Sequence, residues 1–434
     1  MPDRPRHDIA RLAAEFRMPG DFVSHAPCGH GHINDTYEVR VNQAGTPVRY
    51  IVQRINHSIF TRPELVMENI HRVTTHITGK LHASGAHDIY RRVLTLVPCR
   101  DGRLWHQDAA GNHWRAYLYV EGAEAHSHVN STALAEEAAK SFGCFQHLLA
   151  DLPLPRLADT IPDFHHTRSR YDALMRAAAE NRAGRCSTVA AELDWCRERE
   201  GTVDVLLQAH VSGLLPERIT HNDTKINNVM IDHHTGEGIC VMDLDTVMPG
   251  LVLYDFGDLV RTTTISTAED EQDTSLVQMR LPMFEALVRG YLAGASSFLT
   301  DAEIDHLAFA GKLITMETGV RFLTDYLNGD LYFKTRHREH NLERFRVQAR
   351  LVESIERQQS SMEDVVGACV AGSLAAGARP GPSVCAQSKQ EAPAERVIRG
   401  DQESMPARDP RLALDFTDNP SGARVRVPSH DAAL

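Results

Sequence analysis

Residues 219–245 constrain this chain more than any other stretch. They read Ile219-Thr-His221-Asn222-Asp223-Thr224-Lys225-Ile-Asn227-Asn228-Val-Met-Ile-Asp232, then His-His-Thr-Gly-Glu-Gly at 233–238, then Ile239-Cys-Val-Met-Asp243-Leu-Asp245. Two apolar, β-rich runs on either side of that turn signal predict a β-hairpin. A polar loop carrying Asp223 leads into the first arm, Asn228 follows five residues on, and the second arm ends in Asp243. Turn chemistry explains single Asn and Asp residues but not this joint spacing. The set does suit phosphoryl transfer. Asp223 can accept the proton of an attacking hydroxyl, Asn228 and Asp243 offer hard oxygen ligands to Mg2+ on nucleotide phosphates, and Lys225 can reach the transferring group as a point charge.

His221-Asn-Asp223-Thr-Lys225-x-Asn227-Asn228 and Val241-Met-Asp243-Leu-Asp245-Thr246-Val-Met248-Pro249-Gly250 resemble the aminoglycoside phosphotransferase family of small-molecule kinases, and within it the N-acetylhexosamine 1-kinases. The resemblance covers about residues 20–360. It implies an α/β (α+β), two-lobed, protein-kinase-like fold: a small sheet-rich N-lobe at 1–120 and a larger, mainly helical C-lobe at 121–361. It also implies ATP and Mg2+ as cofactors and the anomeric hydroxyl of an N-acetylhexosamine sugar as acceptor. Asp223 and Lys225 would then be catalytic, with His221 and Asp255 supporting their loop. Asp255-Phe256-Gly257 spells the metal motif of protein kinases, yet it follows Asp243 by only a dozen residues and leaves no room for an activation loop. Two other readings stay open: the same fold with an aminoglycoside, choline or homoserine acceptor, and a catalytically inactive nucleotide- or sugar-binding regulator.

Upstream, 7–17 reads as a short packing helix, and 22–26, 36–41 and 48–55 read as strands, the last two joined by a turn at 42–46. Between the first two strands lies Gly29-His30-Gly31-His32-Ile33-Asn34. Such a loop is an ordinary hairpin turn, or it brings backbone amides close to phosphates because two positions lack a Cβ. The resemblance places Gly29, Gly31 and Asn34 over the nucleotide and His32 on the sugar. The third strand has no lysine to grip the phosphates, so Gln53 or Arg54 must serve, and alternation lets only one of them point inward. A helix at 63–84, opened by Pro63, puts Glu68 where a kinase pairs a helix carboxylate with the strand cation; otherwise Glu68 is an exposed acid near a helix start. Runs at 91–96, 103–106 and 114–120 read as further strands, and the resemblance implies that backbone groups after the last of them, at Glu121, meet the adenine.

Helices are expected at 133–152, before Asn181, at 189–211, at 302–327 and at 338–361. Thr318 to Phe333 resembles the sugar-site segment of the N-acetylhexosamine kinases, which assigns Arg321 and Tyr332 to the acceptor alongside Asp223. A guanidinium can donate to hydroxyl or acetamido oxygens and a ring can cover the apolar sugar face. Arg321 could instead pair with Asp325 one helical turn on.

A formal charge of −12 argues against a nucleic-acid partner, which needs a basic surface. No run is long and apolar enough to span a bilayer, and Met1-Pro-Asp-Arg-Pro-Arg-His lacks a signal-peptide core, so a cytoplasmic protein is expected, with no membrane and no protein partner implied. From 362 onward Ala, Gly, Pro, Ser and Arg dominate, a composition that predicts a disordered tail.

Overall fold

Apolar alternation and one tight turn set the first layer. In the computed structural model, which describes residues 7–29 and 33–375, helix α1 (Ile9–Ala14) and strand β1 (Asp21–Pro27) precede β2 (Asp35–Gln43) and β3 (Thr46–Ile55). Ala44 and Gly45 join the last two with positive φ at both positions, 50° and 93°, the mirror-image turn whose twist matches that of paired strands. Tyr37, Val39 and Val41 alternate inward from β2 to meet Tyr50 and Val52 of β3. Helix α2 (Pro63–Ala83) buries Val66, Ile70, Val73, Ile77 and Leu81 as one stripe. A single turn, α3 (Ile89–Arg92), and the strands β4 (His106–Gln107) and β5 (His113–Leu118) follow. The antiparallel sheet runs β1-β2-β3-β5-β4.

The larger lobe begins with β6 (Ala123–Ala125) and α4 (Thr132–Leu149), continues through α5 (Thr167–Glu180), α6 (Ala190–Glu198) and α7 (Val205–Val211), and reaches the short strands β7 (Arg218–Thr220), β8 (Val229–Asp232), β9 (Gly238–Val241) and β10 (Met248–Gly250). Then come α8 (Val252–Thr264), α9 (Leu281–Ala295), α10 (Asp301–Asp305), α11 (Leu307–Asn328) and α12 (His340–Ala375). The expected hairpin is β8 against β9, with Val229 opposite Val241 and Met230 opposite Cys240. A second small pairing, β7 with β10, sets Thr220 opposite Met248 and closes the base of the loop between them.

Four expectations need correction. The strand expected at 91–96 is instead α3 followed by one isolated bridge, Leu96 to Tyr117, because Arg91 is drawn away to donate to the Glu121 carbonyl (2.8 Å) and Asp232 (2.7 Å). The strand expected at 103–106 shrinks to His106–Gln107. The helix expected at 189–211 breaks into α6 and α7 around a tight turn at Glu200–Asp204, where Gly201 lowers helix propensity and Arg168 engages Asp204. Finally, α12 runs on past 362, since Met362 and Val366, one turn apart, are both buried.

Helices α4 and α9 approach closely through glycines. A Cβ at Gly290 would run into the Glu136 carbonyl, and one at Gly294 would stand 2.6 Å from the Lys140 carbonyl oxygen. Both contacts are backbone, which cannot move aside as a flexible side chain can. Gly290→Ala is expected to destabilise the protein by about 1–3 kcal/mol, the usual cost of overpacking, read as a lower denaturation midpoint; an unchanged midpoint would show that the helices can separate freely.

Candidate functional site

The loop after β7 is held in shape by a buried carboxylate. Asp255, fully enclosed on α8, accepts the backbone N–H groups of His221 at 2.8 Å and Asn222 at 2.6 Å, and the Gln146 amide at 2.6 Å. Its own carbonyl accepts from Thr224 Oγ1 at 2.6 Å. These bonds support a strained residue: Asn222 has φ of +65°, a region that costs a non-glycine residue free energy. His221 is buried edge-on between Phe142 and Phe145, with Nε2 2.9 Å from the Met242 carbonyl. His221 and Asp255 therefore lie beneath the loop and fix it, while Asp223, two residues after His221, is left half-buried.

Asp223 sits 2.5 Å from the Lys225 ammonium, and its other carboxylate oxygen accepts from Asn228 Nδ2 at 3.1 Å. Burial pulls the Asp223 carboxyl up, but Lys225, with His221 and Arg261 behind it, outweighs this and holds it below the ordinary carboxylate range. Asp223 is thus ionised at neutral pH and able to accept a proton. The Met242 N–H donates to the Asn228 carbonyl at 2.9 Å, so the hairpin brings Asn228 beside Asp243.

Asp243 makes no hydrogen bond or ion pair among the described residues. Asp243 is exposed by its surface area, yet the protein around its carboxylate partly desolvates it. That partial desolvation, with Asp245 and Asp223 close by, pushes it up to about 7. The Asp243 carboxylate, unpaired among the described residues, beside a free amide oxygen of Asn228 could hold a divalent cation. Mg2+ takes one or two protein oxygens and completes its shell from phosphate and water.

Sequence reasoning missed the cation of this site. Neither Gln53 nor Arg54 supplies it. Arg54 points to the opposite face and pairs with Asp35 at 2.6 Å. Gln53 points inward and accepts from Arg115 Nε at 2.9 Å and Nη2 at 2.6 Å. Arg115, opposite Gln53 on β5 and 1% exposed, makes a buried ion pair with Asp245. It therefore stands where the strand lysine was sought, one strand over. The Asp243-Leu-Asp245 pattern gave a signal for the carboxylate; nothing local marks the arginine, which sits in an apolar strand.

The remaining expected residues divide. Asn34 reaches the same centre, donating to Asp245 at 2.7 Å and accepting the Asn56 N–H at 3.0 Å. Gly29, with φ of +79° and open space around its Cα, lies at the edge of that loop; Gly31 and His32 fall outside the described residues. Glu68 is exposed on α2 and meets no strand cation. Its neighbour Asn69 takes the inward face, bonded to the Val247 carbonyl at 3.0 Å and to Ala158. The Glu121 side chain is turned outward to Arg49, so only its backbone lies where the two lobes join. Arg321 does not pair with Asp325, whose oxygens accept the N–H groups of Leu331, Tyr332 and Phe333. It lies instead among the rings of Phe164, Tyr332 and Phe333, at 5.3, 6.0 and 5.8 Å.

Residues 24–292, more than half of the chain, match the model of the phosphotransferase enzyme family. The protein belongs to this family. It is accordingly a phosphotransferase that acts on hydroxyl acceptors, with the family's protein-kinase-like fold. Solved structures share that fold at low identity. A microcompartment-associated aminopropanol kinase is 17% identical, with TM-score 0.52 over 82% of this chain and 98% of its own. An aminoglycoside phosphotransferase from Alicyclobacillus acidocaldarius is 11% identical, with TM-score 0.55 over 84% and 98%. A spectinomycin phosphotransferase, solved with ADP and spectinomycin, is 13% identical, with TM-score 0.50 over 82% and 99%.

Proposed function

We propose that this phosphotransferase moves the γ-phosphoryl group of ATP to the anomeric hydroxyl of an N-acetylhexosamine. The observation that carries the acceptor class is Arg321: a half-buried guanidinium set among three aromatic rings with no hydrogen bond or ion pair among the described residues. A cationic amine acceptor would be repelled there. A sugar supplies what the site lacks, oxygens for the guanidinium and C–H faces for the exposed ring of Tyr332.

Asp223 orients the acceptor hydroxyl and takes its proton as the oxygen attacks phosphorus. Lys225, drawn to Asp223, carries its positive charge to the edge of the reacting group. Asn228 Oδ1 and Asp243 would hold Mg2+, which supplies positive charge to the phosphate oxygens. Arg115 keeps Asp245 and the cleft floor in place, and Gly29, with no Cβ and open space around it, would let a phosphate come close to its own backbone.

The reading is tested by ADP release from ATP and Mg2+ with N-acetylglucosamine, N-acetylgalactosamine, glucose, galactose, kanamycin and choline in turn, the product located by phosphorus NMR. A sugar 1-phosphate from the N-acetylated sugars is expected. Arg321→Met should then raise the sugar KM by about tenfold or more at unchanged ATP KM, since a hydrogen bond from a charged group contributes roughly 1.5–3 kcal/mol. Turnover with kanamycin or choline alone would reject the acceptor while leaving the catalytic loop intact.

A further inference from the structure

His165 lies where α11 meets the catalytic loop, and none of the steps above uses it. The ring is buried at 8% exposure, with Phe164 and Tyr254 at centroid distances of 4.7 and 5.2 Å. Its Nδ1 is 2.9 Å from Glu317 Oε1, and its Nε2 is 3.3 Å from the carbonyl oxygen of Asn222, the residue before Asp223. Glu317 is itself buried, and its Oε2 has no partner among the described residues. The other charged or titratable groups around the imidazole are Arg321 on α11, Asp258 and Tyr254 on α8, and Arg170 on α5, which donates to the Phe164 carbonyl. From the catalytic loop the ring meets the Asn222 carbonyl.

A carbonyl oxygen can only accept, so Nε2 must carry a proton. On the other side of the ring, a bare Nδ1 against an ionised carboxylate would oppose two lone pairs in a place where an unpaired charge is costly. A second proton is therefore required, on Nδ1 or on Glu317 Oε1. If it is lost, one of the two contacts fails.

We propose that His165 and Glu317 form a two-proton clamp that fixes the Asn222 carbonyl and thereby the aim of Asp223, which makes His165 a positioning residue for phosphoryl transfer. Asn222 is held at its N–H by Asp255 and at its side-chain amide by the Thr246 carbonyl, 2.9 Å away; the carbonyl left over is the group that His165 takes. The same clamp ties the catalytic loop to α11 one helical turn from Arg321. Burial opposes charge on the ring, but Glu317 outweighs it and raises the pKa above the ordinary histidine range, so the second proton is retained where the enzyme would work. This rests on Asp223 as the base and is independent of which acceptor is used.

Nitrogen-15 NMR of the full chain with labelled histidines tests the protonation without turnover, the His165 signals being those lost in His165→Gln or shifted in Glu317→Gln. At pH 7 Nε2 should carry a proton, and Nδ1 should read either as protonated or as a nitrogen accepting a hydrogen bond from Glu317; an unprotonated Nε2, or an Nδ1 with no hydrogen bond at all, overturns the clamp. In kinetics, wild-type kcat should fall along an alkaline limb as the second proton leaves. In Glu317→Gln the amide N–H can donate to Nδ1 while Nε2–H stays on Asn222, so there is no proton to lose and the limb should vanish. A profile that superimposes on wild type would sink the proposal. His165→Gln should lower kcat by roughly tenfold or more with ATP KM within about twofold, the signature of a misaimed base; equal losses in both would mark a merely structural role. Failure of every acceptor to turn over would reject the reading of the site, while the NMR result would still decide the clamp.

Discussion

Asp223→Asn is expected to lose about 10²–10⁴-fold in kcat, the range that a positioned general base contributes, with ATP KM changed by no more than about twofold. Asparagine keeps the size of the side chain and can still accept from Asn228 Nδ2, now 3.1 Å from the carboxylate. It cannot accept the acceptor's proton, and it no longer neutralises Lys225. Turnover should fall without loss of folding or of nucleotide binding, because the loop is anchored through Asp255 and His221 rather than through Asp223. The measurement is steady-state kinetics beside a nucleotide titration. Near-normal turnover would remove Asp223 from the chemistry; a collapse in nucleotide affinity would mean that its charge serves binding instead.

Arg115→Met should have the largest effect on stability. It removes the guanidinium that pairs with Asp245 and leaves that carboxylate, 2% exposed, with the Asn34 amide alone among the described residues. Breaking a buried pair from one side costs about 3–5 kcal/mol, to be read as a fall in the urea midpoint. The double variant Arg115→Met, Asp245→Leu should recover most of that loss, since no uncompensated charge remains buried. If the single variant unfolds like wild type, the pair is not shielded from water. If the double variant is no better than the single, the penalty belongs to lost packing of the arginine and not to stranded charge.

The hairpin and its loop were legible because their logic is local: Asp223, Asn228 and Asp243 fall within one supersecondary unit, so spacing along the chain carries their spacing in space. The same holds for the helix stripe of α2 and the turn before β3. Arg115 with Asp245, and His165 with Glu317, are joined across the fold, and neither half has a local pattern that announces the other. Expecting a cation on β3 was a reasonable transfer from protein kinases that failed because the neighbouring strand supplies it, with Gln53 reduced to holding it. Glu68 failed for the matching reason: Arg54 of β3 turns to the opposite face and pairs with Asp35, so no β3 cation faces the cleft, and α2 turns Asn69 inward. The extent of α12 was hidden by composition, since Met362 and Val366 are two apolar residues in a small-residue stretch, and only the core they pack against makes them count.

Where the strand cation finds its partner bears on how such an enzyme can be governed. In protein kinases the partner rides on a helix that swings, so the position of that helix works as a switch. Here Arg115 is anchored to Asp245 in the cleft floor, and α2 is pinned by Asn69 to the Val247 carbonyl of the other lobe. Moving α2 would leave the arginine where it is. The place of the arginine is thus set by the cleft floor and not by the position of α2.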